Sequence, residues 1–542
     1  MILAMSNTPN PQSPHPWWKG AVIYQIYPRS YQDTNGDGVG DLNGITQRLD
    51  HIASLGVDGI WISPFFTSPM KDFGYDVADY CDVDPVFGTL DDFDRLLERA
   101  HALGLKVIID QVYAHSSDAH AWFAESRQDR TNARADWYVW KDPKPDGTPP
   151  NNWQAVFGGP SWTWDARRQQ YFMHNFLPSQ PQLNLHNPEV QKALIDVMRF
   201  WLDRGVDGFR LDALNFSLFD PEFRDNPARS PVPRNVSRPF DLQEHVHNQS
   251  HPDLPVFLRR LRALMDEYGD IFSVAEVPGP QPLKEMRAYT EGETHLNSAY
   301  SFDFLYAKRL SAEAVAASQS NWLGVPDEGW PSWAFSNHDA PRCVSRWFDG
   351  VDESIRAKLT NALLFCLRGN PILYQGEELG LPQAEIPFEY LQDPEAIANW
   401  PRTLGRDGAR TPMPWFEAGP YCGFSEARPW LPIGQGHAAR AVDVQEAEPN
   451  SALAFIRHLA AVRSGSDALR YGDIAFQEVS GDLLLFHRSY ENKTVECVFN
   501  FGDTELTAPI AGASPEQILV SVGFGGAADK SVPPFSCRIA RL

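Results

Sequence analysis

Long apolar runs are missing from this sequence. None approaches the roughly 20 residues that a helix needs to cross a bilayer, so no membrane association is expected. The opening stretch, Met1 to Trp17, is rich in Pro, Ser and Asn and lacks the basic and apolar regions of a secretory leader, which points to the cytoplasm. Positive charge is scarce as well: 47 Lys and Arg stand against 70 Asp and Glu, a formal net charge of −23, and no run of basic residues forms a stripe. Such a surface repels phosphate backbones and argues against a nucleic-acid partner. Cysteine is sparse and scattered, at Cys81, Cys343, Cys366, Cys422, Cys497 and Cys537, with no C-x-x-C pair. Neither a zinc site nor a disulfide framework is indicated, and the thiols are expected to be reduced and packed.

What remains is an ordinary globular composition, 43% hydrophobic over 542 residues, long enough for two or three domains. Short apolar runs rich in β-branched residues recur at 21–28, 59–63, 106–110, 208–212, 271–276, 332–337 and 370–376, with 298–304 as a weaker eighth. Helix-like stretches such as 89–103 and 188–204 lie between them, opening on Thr89 or Pro188 and ending near Gly104 and Gly205. Alternation of this kind reads as parallel strands with crossover helices. The strand count, and the absence of Gly-x-Gly-x-x-Gly after the first strand, favour a (β/α)8 TIM barrel over a doubly wound sheet.

One interval breaks the rhythm. Nearly a hundred residues separate the third strand from the fourth and hold Trp122, Trp137, Trp140, Trp153, Trp162 and Trp164, which suggests an inserted small domain whose tryptophans either form its core or wall a substrate funnel. After about residue 460 the pattern turns to short alternating runs at 474–479, 482–488, 494–501 and 517–522, the mark of a C-terminal antiparallel β-sandwich. The expected layout is a flexible segment at 1–16, a barrel from 17–110 and 185–460, an inserted subdomain at 111–184 and a sandwich at 461–542.

Catalytic groups of a barrel sit where its strands end. Several strands here end in a carboxylate or amide: Asp110, Asp212 preceded by Arg210, Glu276, and the triplet Asn337-His338-Asp339. Converging carboxylates suit glycosidic cleavage, in which one acid protonates the leaving oxygen and one carboxylate meets the developing oxocarbenium ion. Glu276, between Ala275 and Val277 in an apolar strand, is expected to be desolvated and protonated as an acid. Arg210, two residues before Asp212 and on the same side of the strand, is expected to keep that carboxylate ionised.

These segments resemble the alpha-amylase family. Asp110-Gln-Val-Tyr-Ala-His115, Gly208-Phe-Arg-Leu-Asp212-Ala213, Glu276 after Val-Ala, and Ser336-Asn-His338-Asp339 look like its four signature segments, in the right order. Gly56-Val-Asp-Gly-Ile-Trp-Ile-Ser-Pro64, Tyr374-Gln-Gly-Glu-Glu378 and Arg406-Asp-Gly-Ala-Arg410-Thr-Pro-Met-Pro-Trp415 extend the similarity over most of the chain. Gln182-Leu-Asn-Leu185 and Trp17-Trp18-Lys19 before Tyr24-Gln-Ile-Tyr-Pro28 are similar to the alpha-glucosidase and oligo-1,6-glucosidase group, although Gln182 stands where that group usually has Asp. The resemblance implies a retaining double displacement with Asp212 as nucleophile, Glu276 as acid and base, and Asp339 gripping sugar hydroxyls in the transition state. It implies that His115 and His338 line the same subsite. It also implies that Asp72, Tyr75 and one of Arg406 and Arg410 close the far end on the terminal glucose, so that only terminal units are cut. Ala213 after the nucleophile, where relatives acting on alpha-1,6 bonds tend to carry Val, favours alpha-1,4 substrates such as maltose.

A metal loop is also expected. Asp33-Thr-Asn35-Gly-Asp37-Gly-Val39-Gly-Asp41 sets oxygen donors at alternate positions with glycines for tight turning, which suits a structural calcium or magnesium ion away from the chemistry. By resemblance Val39 contributes its backbone carbonyl. No organic cofactor is expected, and the partner is a small oligosaccharide or glucoside; the sequence carries no signal for an oligomeric state. A disaccharide isomerase, an oligo-1,6-glucosidase and a non-catalytic sugar-binding protein are the alternatives. The last is disfavoured, because Asp212, Glu276 and Asp339 are all present.

Overall fold

The computed structural model describes residues 14–234, 236–279, 281–323, 329–403, 405–524 and 530–542, so most of the segment expected to be flexible at 1–16 lies outside the described residues. Eight parallel strands share one sheet: β1 (Ile23–Ile26), β2 (Gly59–Ile62), β3 (Lys106–Val112), β4 (Gly208–Asp212), β5 (Phe272–Val277), β6 (Ser298–Ser301), β7 (Ser332–Ala334) and β8 (Asn370–Tyr374). Their spatial order is β6, β5, β4, β3, β2, β1, β8, β7. The two ends meet through an Ala299–Pro331 bridge and a 2.7 Å bond between the hydroxyls of Ser298 and Ser332, which closes the sheet into a barrel.

Successive strand residues face opposite ways, and burial sorts them accordingly. Ile60, Ile62, Val107, Ile109, Phe209, Leu211 and Leu373 pack outward into the main core under the helices. Ile23, Trp61, Ile108, Val274, Tyr300 and Ile372 fill the barrel interior. Continuing the inward series toward the carboxyl ends leads from Ile108 to Asp110 and from Val274 to Glu276. Apolar residues thus fill one half of the lumen, and charge is confined to the other.

The helices follow their local signals. Helix Leu90–Ala102 begins on a reciprocal cap, the Thr89 hydroxyl accepting from the Asp92 amide while the Asp92 carboxylate accepts from that of Thr89. Helix Pro188–Asp203 begins with the Asn187 side chain accepting from the Glu189 amide. Each is followed by a left-handed glycine, Gly104 at φ 79° and Gly205 at φ 96°, the usual stop for a helix.

The insertion carries a three-stranded antiparallel sheet, with Gln170–Met173 between Trp140–Lys141 and Trp162–Asp165. Trp153 and Trp162 are buried with Phe219 and partly buried Phe223, so they build a core and do not wall a funnel. All six cysteines are free thiols, five of them buried.

The C-terminal part is a five-stranded antiparallel sheet with a two-stranded one beside it. In strand Leu483–Tyr490, Leu484 and Phe486 face the main core, whereas Leu483 and Leu485 pack with Val498, Ala508, Ile510 and Val532 between the sheets. Two buried guanidinium groups join this part to the barrel with no carboxylate of the described residues within ion-pairing distance. Arg463 donates to the carbonyls of Gly20, Phe365 and Gly369, and Arg488 to those of Cys366, Leu367 and Gly472. These carbonyls include the last ones of helix Glu353–Cys366, where a cation is favoured.

Removing Arg488 strands several buried carbonyls at once. Arg488→Met is expected to lower stability by about 3 kcal/mol or more, read as a drop in the thermal midpoint and in the urea midpoint.

Candidate active site

Arg210 sits in the middle of the barrel's charged end, fully buried. Its Nη1 donates to Asp110 Oδ1 at 2.7 Å and to Asp212 Oδ1 at 2.5 Å, and its Nη2 pairs with Glu276 Oε1. Nε and Nη2 also donate to the Tyr300 hydroxyl, at 3.1 and 3.0 Å. The Asp110 carboxylate accepts as well from the Trp61 indole at 2.8 Å. All these groups occupy inward positions on β2 to β6, which is why residues remote in sequence converge.

The two principal carboxylates are neighbours across strands. Ala275 pairs with Leu211, so Glu276 on β5 lies beside Asp212 on β4, where adjacent strands run about 4.8 Å apart. One guanidinium touching both carboxylates limits the distance between the bonded oxygens to about 7 Å. A retaining glycosidase uses about 5–5.5 Å between its carboxyl groups.

Sequence reasoning assigns Arg210 to Asp212 and leaves Glu276 in an apolar setting; the geometry differs. A planar guanidinium has donors on both edges, and both carboxylates receive them. Burial pushes Asp110 and Asp212 up from the ordinary aspartate range against the pull of Arg210, and it pushes Glu276 up to about 7. One cation cannot compensate three buried carboxylates, so the cluster holds a proton near neutrality. Glu276 further accepts from the Ala213 amide at Oε2, 3.0 Å away. Ala213 achieves this in the left-handed region, at φ 39° and ψ 42°, where a residue with a side chain is strained by about 1 kcal/mol or more.

A cavity of about 1070 Å³ opens onto these groups and is lined by Asp72, Tyr75, His115, Asp212, Glu276, Asp339 and Arg406, among others. Arg406 Nη2 donates to Asp72 Oδ1 at 2.7 Å and to Asp393 Oδ1 at 2.9 Å, and the Gln180 amide donates to Asp72 Oδ2 at 3.0 Å. Burial works against charge on Asp339, but His338, Arg410 and Arg406 overcome it and hold that carboxyl well below the ordinary range. Because burial drives His338 down to about 3, its ring is neutral at pH 7, and the effective charges there are the two arginines, at 2.7 Å from Arg410 and 3.4 Å from Arg406. His115 is likewise driven by burial to about 4, and its Nε2 contacts the Tyr75 carbonyl at 3.1 Å.

Arg210, His338 and Arg410 are not part of the lining. His338 is fully buried behind Tyr75, with parallel rings 5.2 Å apart and its Nε2 2.6 Å from the Tyr75 hydroxyl. Of the two arginines that the sequence leaves open, Arg406 faces the cavity, while Arg410 is fully buried and donates to the His338 carbonyl at 2.6 Å. Sequence reasoning treats Asp110 only as one strand-end carboxylate and passes over Tyr300 and Gln180. Period-two alternation could have found Asp110 and Tyr300; Gln180 comes from an irregular loop with no such signal. The aromatic lining of the cavity includes Phe157, Phe176, Phe240 and Tyr306, and none of the insertion's tryptophans is part of it.

Gln182 holds structure instead. Its amide donates to the Phe216 carbonyl at 2.9 Å, a bond that Asp could not supply, and its oxygen accepts from Asn175 at 2.8 Å.

The loop from Asp33 to Asp41 lies apart from the cavity lining. Its side-chain oxygens turn onto the loop's own amides: Asp33 accepts from Asn35, Gly36 and Gly38, Asn35 from Asp37, Asp37 from Val39, and Asp41 from Thr34. Among the described residues no group of three or more His, Cys, Asp or Glu side chains is gathered as a metal set. A cation here would therefore draw on the Asn35 amide oxygen and the Val39 carbonyl in addition to carboxylates, an all-oxygen set that fits a hard ion.

The sequence pattern of the alpha amylase catalytic domain matches residues 25–472. The chain is 57% identical over 498 residues to a probable alpha-glucosidase of Rhizobium meliloti, an alignment that covers 91% of this chain and 90% of the relative. It is 38% identical over 493 residues to an oligo-1,6-glucosidase of Heyndrickxia coagulans, covering 84% and 86%. Among solved structures, the alpha-glucosyl transfer enzyme XgtA superposes with a TM-score of 0.92 at 50% identity, covering 97% of this chain and 99% of that one. An inactive double mutant of MutB in complex with isomaltulose superposes with a TM-score of 0.88 at 30% identity, covering 98% and 100%.

A carboxyl whose pKa rises on folding destabilises the fold above its unfolded pKa. For Glu276, at about 7 in the folded chain, that cost grows from pH 4 to pH 7 and reaches about 3 kcal/mol at most. Glu276→Gln is therefore expected to raise the thermal midpoint at pH 8, with the gain fading toward pH 4, as differential scanning calorimetry of both proteins can check.

Proposed function

The chain belongs to the alpha-amylase family, in its alpha-glucosidase and oligo-1,6-glucosidase group, and on that premise we propose that it is a retaining, exo-acting alpha-glucosidase. It releases or transfers the terminal glucosyl unit of small alpha-1,4-linked glucosides such as maltose. The observation that carries this reading is the placement of Asp212 and Glu276 side by side on adjacent strands, both held by Arg210 and both lining the cavity.

An oxygen of Asp212 attacks the anomeric carbon while protonated Glu276 gives its proton to the glycosidic oxygen, and the C–O bond breaks toward that oxygen. Water or an alcohol then attacks the glucosyl ester, Glu276 takes the incoming proton, and Asp212 leaves as carboxylate. Asp339, ionised and fixed by Arg410, accepts sugar hydroxyl hydrogens, with its grip greatest on the flattened transition state. Asp72 and Arg406 bind the terminal glucose, and Tyr75 offers its ring. Such a closed end supports cleavage of terminal units only. Ala213, which lines the cavity, favours alpha-1,4 linkages.

The likeness to MutB, whose structure holds isomaltulose, supports a second reading as a disaccharide isomerase. Incubation with maltose, isomaltose and sucrose, each with and without an alcohol, separates the two: free glucose or glucosyl alcohol supports the first, and isomerised sucrose the second. Asp212→Asn is expected to lower kcat on maltose by at least about 10³-fold, and proton NMR of early wild-type hydrolysis is expected to show alpha-glucose appearing first. Survival of the Asp212→Asn rate, or beta-glucose as first product, would overturn the reading.

We also propose that Asp33, Asn35, Asp37, the Val39 carbonyl and Asp41 hold a structural calcium or magnesium ion; the all-oxygen donors at alternate positions support this. Chelator treatment is expected to lower the thermal midpoint by several degrees and calcium to restore it, whereas Asp37→Ala is expected to abolish that response.

A further inference from the structure

The Tyr300 hydroxyl is a hydrogen-bonding centre with no freedom left. A phenol has one proton to donate and two lone pairs. Arg210, which can only donate, occupies both lone pairs through Nε at 3.1 Å and Nη2 at 3.0 Å. The single proton of Tyr300 therefore has one destination, Glu276 Oε1 at 3.0 Å. Tyr300 itself is fully buried in the barrel interior and does not line the cavity, so it touches no substrate.

We propose that Tyr300 is a positioning residue that fixes which oxygen of Glu276 carries the proton used in catalysis. Oε1 receives the tyrosine proton and the Arg210 Nη2 and has no room for a proton of its own. The acidic proton is therefore carried on Oε2, which keeps a lone pair for the Ala213 amide at 3.0 Å. In the first step this Oε2 proton passes to the glycosidic oxygen as its bond to the anomeric carbon breaks. Glu276 is left as a carboxylate with Arg210, Tyr300 and Ala213 already donating to it, and the Tyr300 proton never moves. Without the phenol, Oε1 is free to take the proton, which is then shared between a useful and an idle position, and Arg210 Nε loses a buried partner.

This inference rests on the glucosidase reading and is separable from it by experiment. Tyr300→Phe removes one oxygen and keeps the ring. A poor leaving group, as in maltose or methyl alpha-glucoside, needs the proton; an activated one, as in 2,4-dinitrophenyl alpha-glucoside, hardly does. General acid catalysis contributes about 10²–10⁴-fold, so losing its alignment is expected to lower kcat/KM for maltose by roughly 10–100-fold while the dinitrophenyl substrate changes less than about threefold. A merely structural tyrosine would lower both alike. Equal losses on the two substrates, or no loss on either, in a variant whose circular dichroism matches wild type would overturn the proposal. If Tyr300→Phe does not fold, Tyr300→His is read by the same comparison. A wild-type enzyme that cleaves neither glucoside would overturn the glucosidase reading and this inference with it.

Discussion

Everything at the charged end of this barrel is organised by one guanidinium. Among the described residues Arg210 is the single cation that contacts Asp110, Asp212 and Glu276, and it does so with no access to water. Desolvation of three carboxylates against one positive charge leaves an excess of acid that only a bound proton can relieve. The chemistry assigned to the site depends on that imbalance, since an acid that must be protonated and a nucleophile that must not be are supplied by one cluster able to hold one proton in more than one place. The titration therefore belongs to the cluster, not to any member alone.

Behind the residues that face the cavity stands a second row that sets their orientation. His338 backs Tyr75, Arg410 backs Asp339, and Tyr300 backs Glu276. Each member of the back row is fully buried, and each makes contacts that leave its partner little choice of rotamer. Both histidines are kept neutral by burial, so in this site they serve as hydrogen-bonding plates and not as charges. Positive charge is reserved for arginines, which burial does not neutralise.

Much of this was legible in the chain. Most of the eight strand runs follow from short apolar segments spaced by helical patterns, although the weak one at 298–304 and the one at 332–337 hold no β-branched residue, and the alternation within the runs predicts which residues reach the lumen. Asp212, Glu276 and Asp339 stand out because charge at the end of an apolar strand is costly without a purpose. What periodicity could not supply was contact across loops. The choice between Arg406 and Arg410, the part played by Gln180, and the absence of the insertion's tryptophans from the cavity lining all depend on how irregular segments fold back over the barrel. The partition of Arg210 between two acids escaped for a different reason: two residues' spacing on one strand shows which neighbour is near, but a branched donor also reaches sideways, to the next strand.

The join between the barrel and the C-terminal sheet differs in kind from the site. Arg463 and Arg488 are met there by peptide oxygens. An amide oxygen gains no proton over the range in which acidic side chains do, and dissolved ions do not reach a contact sealed from solvent. Acidification and brine erode the ion pairs that also cross this seam, such as Arg309 with Asp482 and Arg470 with Asp58, but leave Arg463 and Arg488 with the same bonds, so part of the register between barrel and sheet persists under conditions in which the charged lumen has already changed its protonation.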